Sequence, residues 1–305
     1  MYWERVWEFF SFQYEFMAYA LGASVVVGVV CGLVGTFLVL RGLSLVGDAI
    51  GHSTLPGVAV AFLIVGHQSP LALLLGALGS AVLAAFTVGI FSRGSRVRSD
   101  AAIGIVLSVY FGIGIVLLAY IQSSPTGAQA GLSQFLFGNA AAITREQFFG
   151  LLGVGAVLVG AVLLFLRPLI LVVFDEGFAR SLGMKTSLVE IGLLGALSIA
   201  VVISIQAVGA ILVAAMLIIP PSAGRLLSGD IRWVMVASVS IGAVSGALGA
   251  MFSYVFEGVA TGPAMVLVAT GFFLVALLFG AQGGLLSEFR TRSRAKRVRR
   301  AGEVL

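Results

Sequence analysis

Apolar and polar positions alternate along this chain in long blocks, not at the short periods of a soluble protein. Nine apolar runs fall near 17–40, 45–66, 70–92, 101–121, 147–167, 187–205, 207–227, 233–256 and 262–280. Each is long enough for a helix that crosses a bilayer. The sixth and seventh runs nearly touch, so a count of eight also fits if those two are broken or partly re-entrant. Either count predicts an all-α polytopic transmembrane bundle of about eight to nine spans. No soluble domain or long flexible linker interrupts it.

The polar blocks between the runs set an orientation, because Lys and Arg are retained in short cytoplasmic loops. With the N-terminus outside, Arg41, Arg93, Arg96, Arg98, Arg167, Arg180, Lys185, Arg225, Arg232 and the C-terminal tail all fall inside. Only Arg5 and Arg145 of the 18 basic residues fall outside, which predicts N-out and C-in. The opening "MYWERVWEFFSFQYEF" is acidic and aromatic, unlike the positive n-region and apolar core of a signal peptide. Residues 1–16, with Trp3, Trp7, Phe9, Phe10 and Phe12, suit an amphipathic segment lying in the membrane interface. Residues 17–288 form the membrane domain, and 289–305 a basic cytoplasmic tail. Between the fourth and fifth runs, "QSSPTGAQAGLSQFLFGNAAAITREQ" is polar at both ends and apolar in the middle. It reads as an outer loop with a short helix dipping toward the bilayer.

Composition then removes several classes of function. Charged residues make up 10% of the 305, against about a quarter in soluble domains. The net charge of +5 is local, because 289–305 alone carries seven Lys/Arg and one Glu and the remainder is −1. That excludes an extended nucleic-acid-binding face. The 40 glycines belong to close helix packing, as in "GVVCG" (28–32) and "GAVSG" (242–246). The single cysteine, Cys31, excludes an intrachain disulfide and a CxxC metal knuckle, and reads as a small packing residue.

Energy supply is the next question. A P-loop needs a glycine-rich loop running directly into Lys and Ser/Thr. The two lysines lack that context: Met184 separates Gly183 from Lys185, and Lys296 has no glycine loop. Any ATP-driven work therefore falls to a partner. The stretch "FDEGFARSLGMKTS" (174–187) places Phe174, Phe178 and Leu182 on one stripe of a short amphipathic helix. Gly183 is suited to end it in a left-handed cap. Such a helix either docks a cytosolic partner or simply lies on lipid.

The sharpest chemistry is "RGLSLVGDAIGHSTLPG" (41–57). Asp48 and His52, four apart, share a helix face, roughly 5–11 Å from the inner end of a helix starting near Leu45. Ionisable groups at such depth face a cavity or a partner. Carboxylate plus imidazole suits Mn²⁺, Zn²⁺ or Fe²⁺. The blander readings are a helix cap by Asp48, a satisfied polar pair, or a proton relay. Two ligands are too few for a closed metal site, so the metal reading calls for a second copy of the chain. Pro56 and Gly57, a turn further on, mark a candidate hinge. Glu190, near the inner end of the sixth run, is expected to pair with Lys185 or Arg180.

These segments resemble a known family. "LRGLSLVGDAIGHSTLPGVAVAF" (40–62) is similar to an early signature segment of the metal-type ATP-binding-cassette permeases, the membrane subunits of bacterial manganese, zinc and iron importers. Residues 174–228 resemble the same family's coupling loop and following spans, and the likeness runs from about 17 to 280. The resemblance implies a type II importer-like permease in the bacterial plasma membrane, working as a homodimer with two cytosolic ATPase subunits. An extracytoplasmic metal-binding lipoprotein or periplasmic protein would deliver the ion. It implies that Asp48 and His52 contact the metal. It also implies that Asp175, Glu176, Phe178, Ala179, Leu182 and Gly183 belong to a coupling helix docked on the ATPase. No permanently bound cofactor and no enzymatic activity are implied for this subunit. The competing expectations are a permease for metal chelates and a proton-coupled secondary metal transporter.

Overall fold

The computed structural model describes residues 5, 7–9, 11 and 15–285, apart from 68, 95–97, 124–137, 139 and 257. Its elements are α1 (Glu15–Leu40), α2 (Ser44–Val65), α3 (Pro70–Gly94), α4 (Ser99–Ser123), a 3-10 turn (Ala140–Ala142), α5 (Arg145–Leu164), α6 (Leu166–Phe174), α7 (Glu176–Ser181), α8 (Thr186–Val208), α9 (Ala210–Leu227), α10 (Ile231–Val255) and α11 (Thr261–Phe279). Nine of the eleven α-helices, all but α6 and α7, are long and apolar enough to cross a membrane. Helix is the local solution throughout, because hydrocarbon offers a backbone amide no other partner.

The breaks between helices have identifiable causes. Gly209, alone between α8 and α9, has φ 91° and ψ 153°, a region essentially restricted to glycine. The sixth and seventh apolar runs are therefore two helices turned about one residue. Gly138 packs directly on this turn, where a Cβ would sit 2.3 Å from the Val208 carbonyl carbon. Between α5 and α6, Pro168 has no N–H to donate to Leu164, and the helix restarts after Phe165. At the other end of α5, Thr144 and Gln147 form a reciprocal capping box, so the helix opens two residues before the apolar run suggested.

α1 is the hub, packed against α10, α9, α8 and α5. It is apolar all round, and Val27, Cys31, Val34 and Phe37 are fully buried. The two small-residue motifs of the sequence meet each other across α1 and α10. A Cβ on Gly28 would lie 2.1 Å from the Gly242 carbonyl oxygen, and one on Gly246 would lie 2.2 Å from that of Ser24. Backbone rests on backbone along this seam, leaving no side chain to yield. α4 is attached differently, packing mainly on α2 and α3.

At the N-terminus, Phe9 is buried against Tyr254, with ring centroids 5.5 Å apart, while Trp7 is exposed. Trp3, Phe10 and Phe12 lie outside the described residues, as do the basic tail and most of the expected dipping helix between α4 and α5.

Candidate functional site

α2 carries the polar pair. The helix starts at Ser44, and its N-cap Leu43 makes no side-chain capping bond. Asp48 stands one turn inside, so it is not the cap. Its Oδ1 lies 3.4 Å from Nε2 of His52, at the long edge of hydrogen-bonding range. The other ring nitrogen, Nδ1, is buried with no hydrogen-bond partner among the described residues. The imidazole meets the Phe111 ring of α4 edge to face, with centroids 4.9 Å apart.

The opposite face of α2 is sealed into the bundle. Ala49, Ile50 and Ser53 are buried, and the Ser53 and Thr54 hydroxyls donate to the Ala49 and Gly51 carbonyls of their own helix. Asp48 instead keeps 37% of its side chain exposed and His52 keeps 18%, beside an exposed Leu45. The pair faces out of the protomer, from within a segment that crosses the membrane.

Helix α2 runs unbroken through Pro56 and Gly57. Pro56 cannot donate to the His52 carbonyl, which thins the backbone ladder beside the imidazole. Both residues sit in tight glycine contacts. A Cβ on Gly57 would lie 2.0 Å from the Gly76 carbonyl oxygen of α3, and one on Gly114 of α4 would meet Leu55 and Pro56.

A neutral imidazole nitrogen and a carboxylate oxygen on one face make two arms of a cation site. Among the described residues, no group of three or more His, Cys, Asp or Glu side chains converges. One copy of the chain thus brings two ligands and no more from its described residues.

A second ionisable cluster lies at the basic end of the bundle, around α7. Asp175 caps that short helix by accepting from the Phe178 amide at 2.8 Å. At its other end Gly183, with φ +78°, lets the Gly183 and Met184 amides return to the Arg180 and Ala179 carbonyls. Held at both ends, α7 buries Ala179 and exposes Phe178, with Leu182 exposed at its C-cap; Phe174, expected on the same helix, is exposed too but ends α6, because the chain breaks at Asp175 to cap α7. Arg180 donates to Glu176, and the Thr186 hydroxyl joins them, donating to Glu176 at 3.3 Å and accepting from Arg180 at 3.3 Å.

Arg41, in the turn between α1 and α2, completes the cluster. Its Nη2 donates to Glu190 Oε1 at 2.7 Å and lies 3.9 Å from Glu176 Oε2. The Arg180 hydrogen bond holds the Glu176 carboxyl below the usual carboxylate range, helped by the charges of Arg180 and Arg41 and opposed by burial. Burial pushes the Arg41 guanidinium down, and the Glu176 charge pushes it back. Arginine stays charged under such shifts.

Residues 13–280 match the ABC 3 transport family. The chain belongs to that family. It is 39% identical over 303 residues to the manganese transport system membrane protein MntC of Bacillus subtilis, covering 99% of this chain and 69% of the relative. It is 38% identical over 275 residues to the zinc transport system membrane protein TroC of Treponema pallidum, covering 90% and 92%. The solved structure of PsaBC from Streptococcus pneumoniae in complex with Fab aligns with a TM-score of 0.80 at 34% identity, over 92% of this chain and 98% of that one. The chain is thus a multi-pass permease subunit of an ATP-binding-cassette transporter and is not itself catalytic.

Asp48 and His52, expected on one helix face, stand together there. Three neighbouring side chains carry little signal in the sequence. Phe111, edge-on to the imidazole, has no local signal. Arg41 reads in sequence as an inner-loop charge, and its place as a lone arginine in a three-residue turn is the one visible hint. Thr186 looked like an ordinary first residue of a helix. Glu190 has a partner in Arg41, from a turn 149 positions away, which the expectation of Lys185 or Arg180 did not include.

Proposed function

We propose that this permease carries a divalent transition metal ion, Mn²⁺ or Zn²⁺ with Fe²⁺ in the same ligand class, into the bacterial cell. The ion passes between two copies of the chain, each contributing Asp48 and His52. One observation carries this reading: a carboxylate and an imidazole share the outward face of a transmembrane helix, with 37% of the Asp48 side chain exposed. Facing lipid, that carboxylate would cost about 3 kcal/mol or more. Facing its twin across a two-fold axis, it becomes half of a four-ligand site of borderline character. The ligand set is sparse enough to release its ion.

The names of the manganese and zinc relatives support the substrate class, and the basic residues support an N-out, C-in orientation. In that orientation α7 lies on the cytoplasmic face. Its exposed Phe178 and Leu182, flanked by Asp175, Glu176 and Gly183 over buried Ala179, dock one of two ATPase subunits. An extracytoplasmic binding protein delivers the ion to the other face. ATP binding closes the ATPase pair, α7 moves with it, and α2 bends about Pro56 and Gly57 to open the pathway inward.

The test is uptake of Mn²⁺, Zn²⁺ and Fe²⁺, side by side, by proteoliposomes holding the permease, its ATPase and its binding protein. ATP-dependent uptake that disappears in Asp48→Ala is expected. Free-ion uptake unchanged in that variant, or uptake driven by a proton gradient without ATP, would sink the proposal.

A further inference from the structure

We infer that Arg41 is a positioning residue for transport: an ionic joint that delivers movement of α7 to the base of α2, and so to Asp48 and His52. The inference rests on the reading of α7 as the ATPase-docking helix.

Connectivity is the first support. Arg41 bonds Glu190 of α8 and sits 3.9 Å from Glu176 of α7. Glu176 is itself held by Arg180 and by Thr186, the first residue of α8. Arg41 keeps only 12% of its side chain exposed and Glu190 18%, so their contact is a charge-assisted bond with little water to compete. A displaced α7 therefore pulls on a connected set of charges that ends in Arg41.

The second support is the absence of slack. Only Arg41, Gly42 and Leu43 separate α1 from α2. Gly42, with φ +69°, folds that turn tightly, and the Leu43 amide donates to the Leu38 carbonyl at 2.9 Å. A force applied at Arg41 enters α2 within three residues. Asp48 follows one turn into the helix.

Room to move is the third. A cavity of about 1020 Å³ opens beside the joint, bordered by Arg41, Glu176, Glu190, Leu43 and Val46, with α3, α6 and α8 as its walls. Dense cores resist displacement because every shift displaces a packed neighbour. Here the charges and one side of the first turn of α2 border open space, so the joint has room to shift with less repacking than a fully enclosed core demands.

The rival explanation is a static anchor that only holds α7 against the bundle. The two are separated by ions moved per ATP hydrolysed, measured on proteoliposomes of the full complex with whichever of Mn²⁺, Zn²⁺ and Fe²⁺ the wild type takes up (Mn²⁺ below), alongside binding of that ion to the purified complex. The set is Arg41→Gln, Arg41→Lys, Glu190→Gln and the neutral double Arg41→Gln/Glu190→Gln, which leaves neither of the two groups charged against a neutral partner. Arg41→Gln is expected to lower ions per ATP by about fivefold or more, with hydrolysis held within about twofold and Mn²⁺ affinity unchanged. Glu190→Gln should lower the ratio in the same direction, Arg41→Lys should recover much of it, and the double should stay uncoupled at wild-type thermal stability. An unchanged ratio in Arg41→Gln and in the double overturns the inference. So does a parallel loss of uptake and hydrolysis that tracks a lowered Tm and is reversed in the double. If the wild-type complex couples uptake of none of Mn²⁺, Zn²⁺ and Fe²⁺ to hydrolysis, the proposed function itself fails and takes this inference with it.

Discussion

Asp48 and His52 form an open pair, while Arg41, Glu176, Glu190, Arg180 and Thr186 form a closed cluster. The two clusters lie a few turns apart on connected elements. In the first, the contact is a loose 3.4 Å and a buried ring nitrogen lacks a partner among the described residues. In the second, each acid is matched by a cation, the Arg41–Glu190 contact is 2.7 Å, and a hydroxyl fills the remaining position. In a low-dielectric setting a polar group left short of partners is costly, and a fully satisfied network is rigid. The open pair has affinity to spend on a visiting ion, whereas the closed cluster is suited to moving as one piece. On the proposed reading, incompleteness marks the ion site and completeness marks the transmission.

The most forceful way to break this comparison is to remove the open pair's charge. In a homodimer Asp48→Ala deletes two ligands at once, so metal binding is expected to fall by about 100-fold or more, beyond the loss typical of an outer-shell substitution. Titration of Mn²⁺ into the purified complex reads this directly. Equal losses of affinity in Asp48→Ala and Glu190→Gln would erase the distinction between the two clusters.

A smaller effect tests the frame against which the joint pulls. Gly242→Ala places a Cβ 2.2 Å from the Gly28 carbonyl oxygen, forcing α1 and α10 apart. Overpacking of this kind costs about 1–3 kcal/mol, seen as a lower Tm in detergent. Gly195→Ala on α8 meets nothing within 4 Å, and its Tm should stay level or rise. Two glycine substitutions with the same effect would mean that the seam is no stiffer than the helix beside the cavity.

The docking stripe is next in magnitude. Phe178→Ala combined with Leu182→Ala removes exposed apolar area without touching the ionic cluster. A roughly tenfold weaker association with the ATPase is expected, of the order lost with a single interface anchor. Copurification at graded ATPase concentration measures it. Undiminished association would leave α7 as an ordinary interfacial helix.

What was legible in the sequence divides along the same line as the two clusters. Asp48 and His52 were readable because their relation is local, four residues on one helix. α7 was readable for the same reason, including the turn at Gly183, although the break at Asp175 that leaves Phe174 on α6 was not. The contact between Arg41 and Glu190 is tertiary, and no periodicity reports a partner 149 positions distant. Likewise "GVVCG" and "GAVSG" each announced close packing, but not that they pack on one another. The span count turned on the backbone at Gly209, one glycine among 40 in a chain where most serve only as small side chains.

The finest test concerns the charge state of Glu176, which belongs to both α7 and the joint. Its carboxyl is held below the usual range first by the Arg180 hydrogen bond, then by the charges of Arg180 and Arg41 and the Thr186 hydroxyl. A carboxylate whose folded pKa is depressed stabilises the folded arrangement fully above its unfolded value, about 4.3. That stabilisation declines as pH falls below the unfolded value and is gone once pH has passed the lower folded value. Glu176→Gln lacks the charge at every pH. Wild-type protein should therefore have the higher Tm at pH 6, and the gap to Glu176→Gln should narrow as pH falls below about 4.3. The effect is small because the side chain is 36% exposed and solvent screens its ion pairs. High salt should shrink the gap at pH 6 as well. A gap that is constant with pH would mean that Glu176 holds α7 by shape and hydrogen bonding alone, and the closed cluster would lose one of its charges.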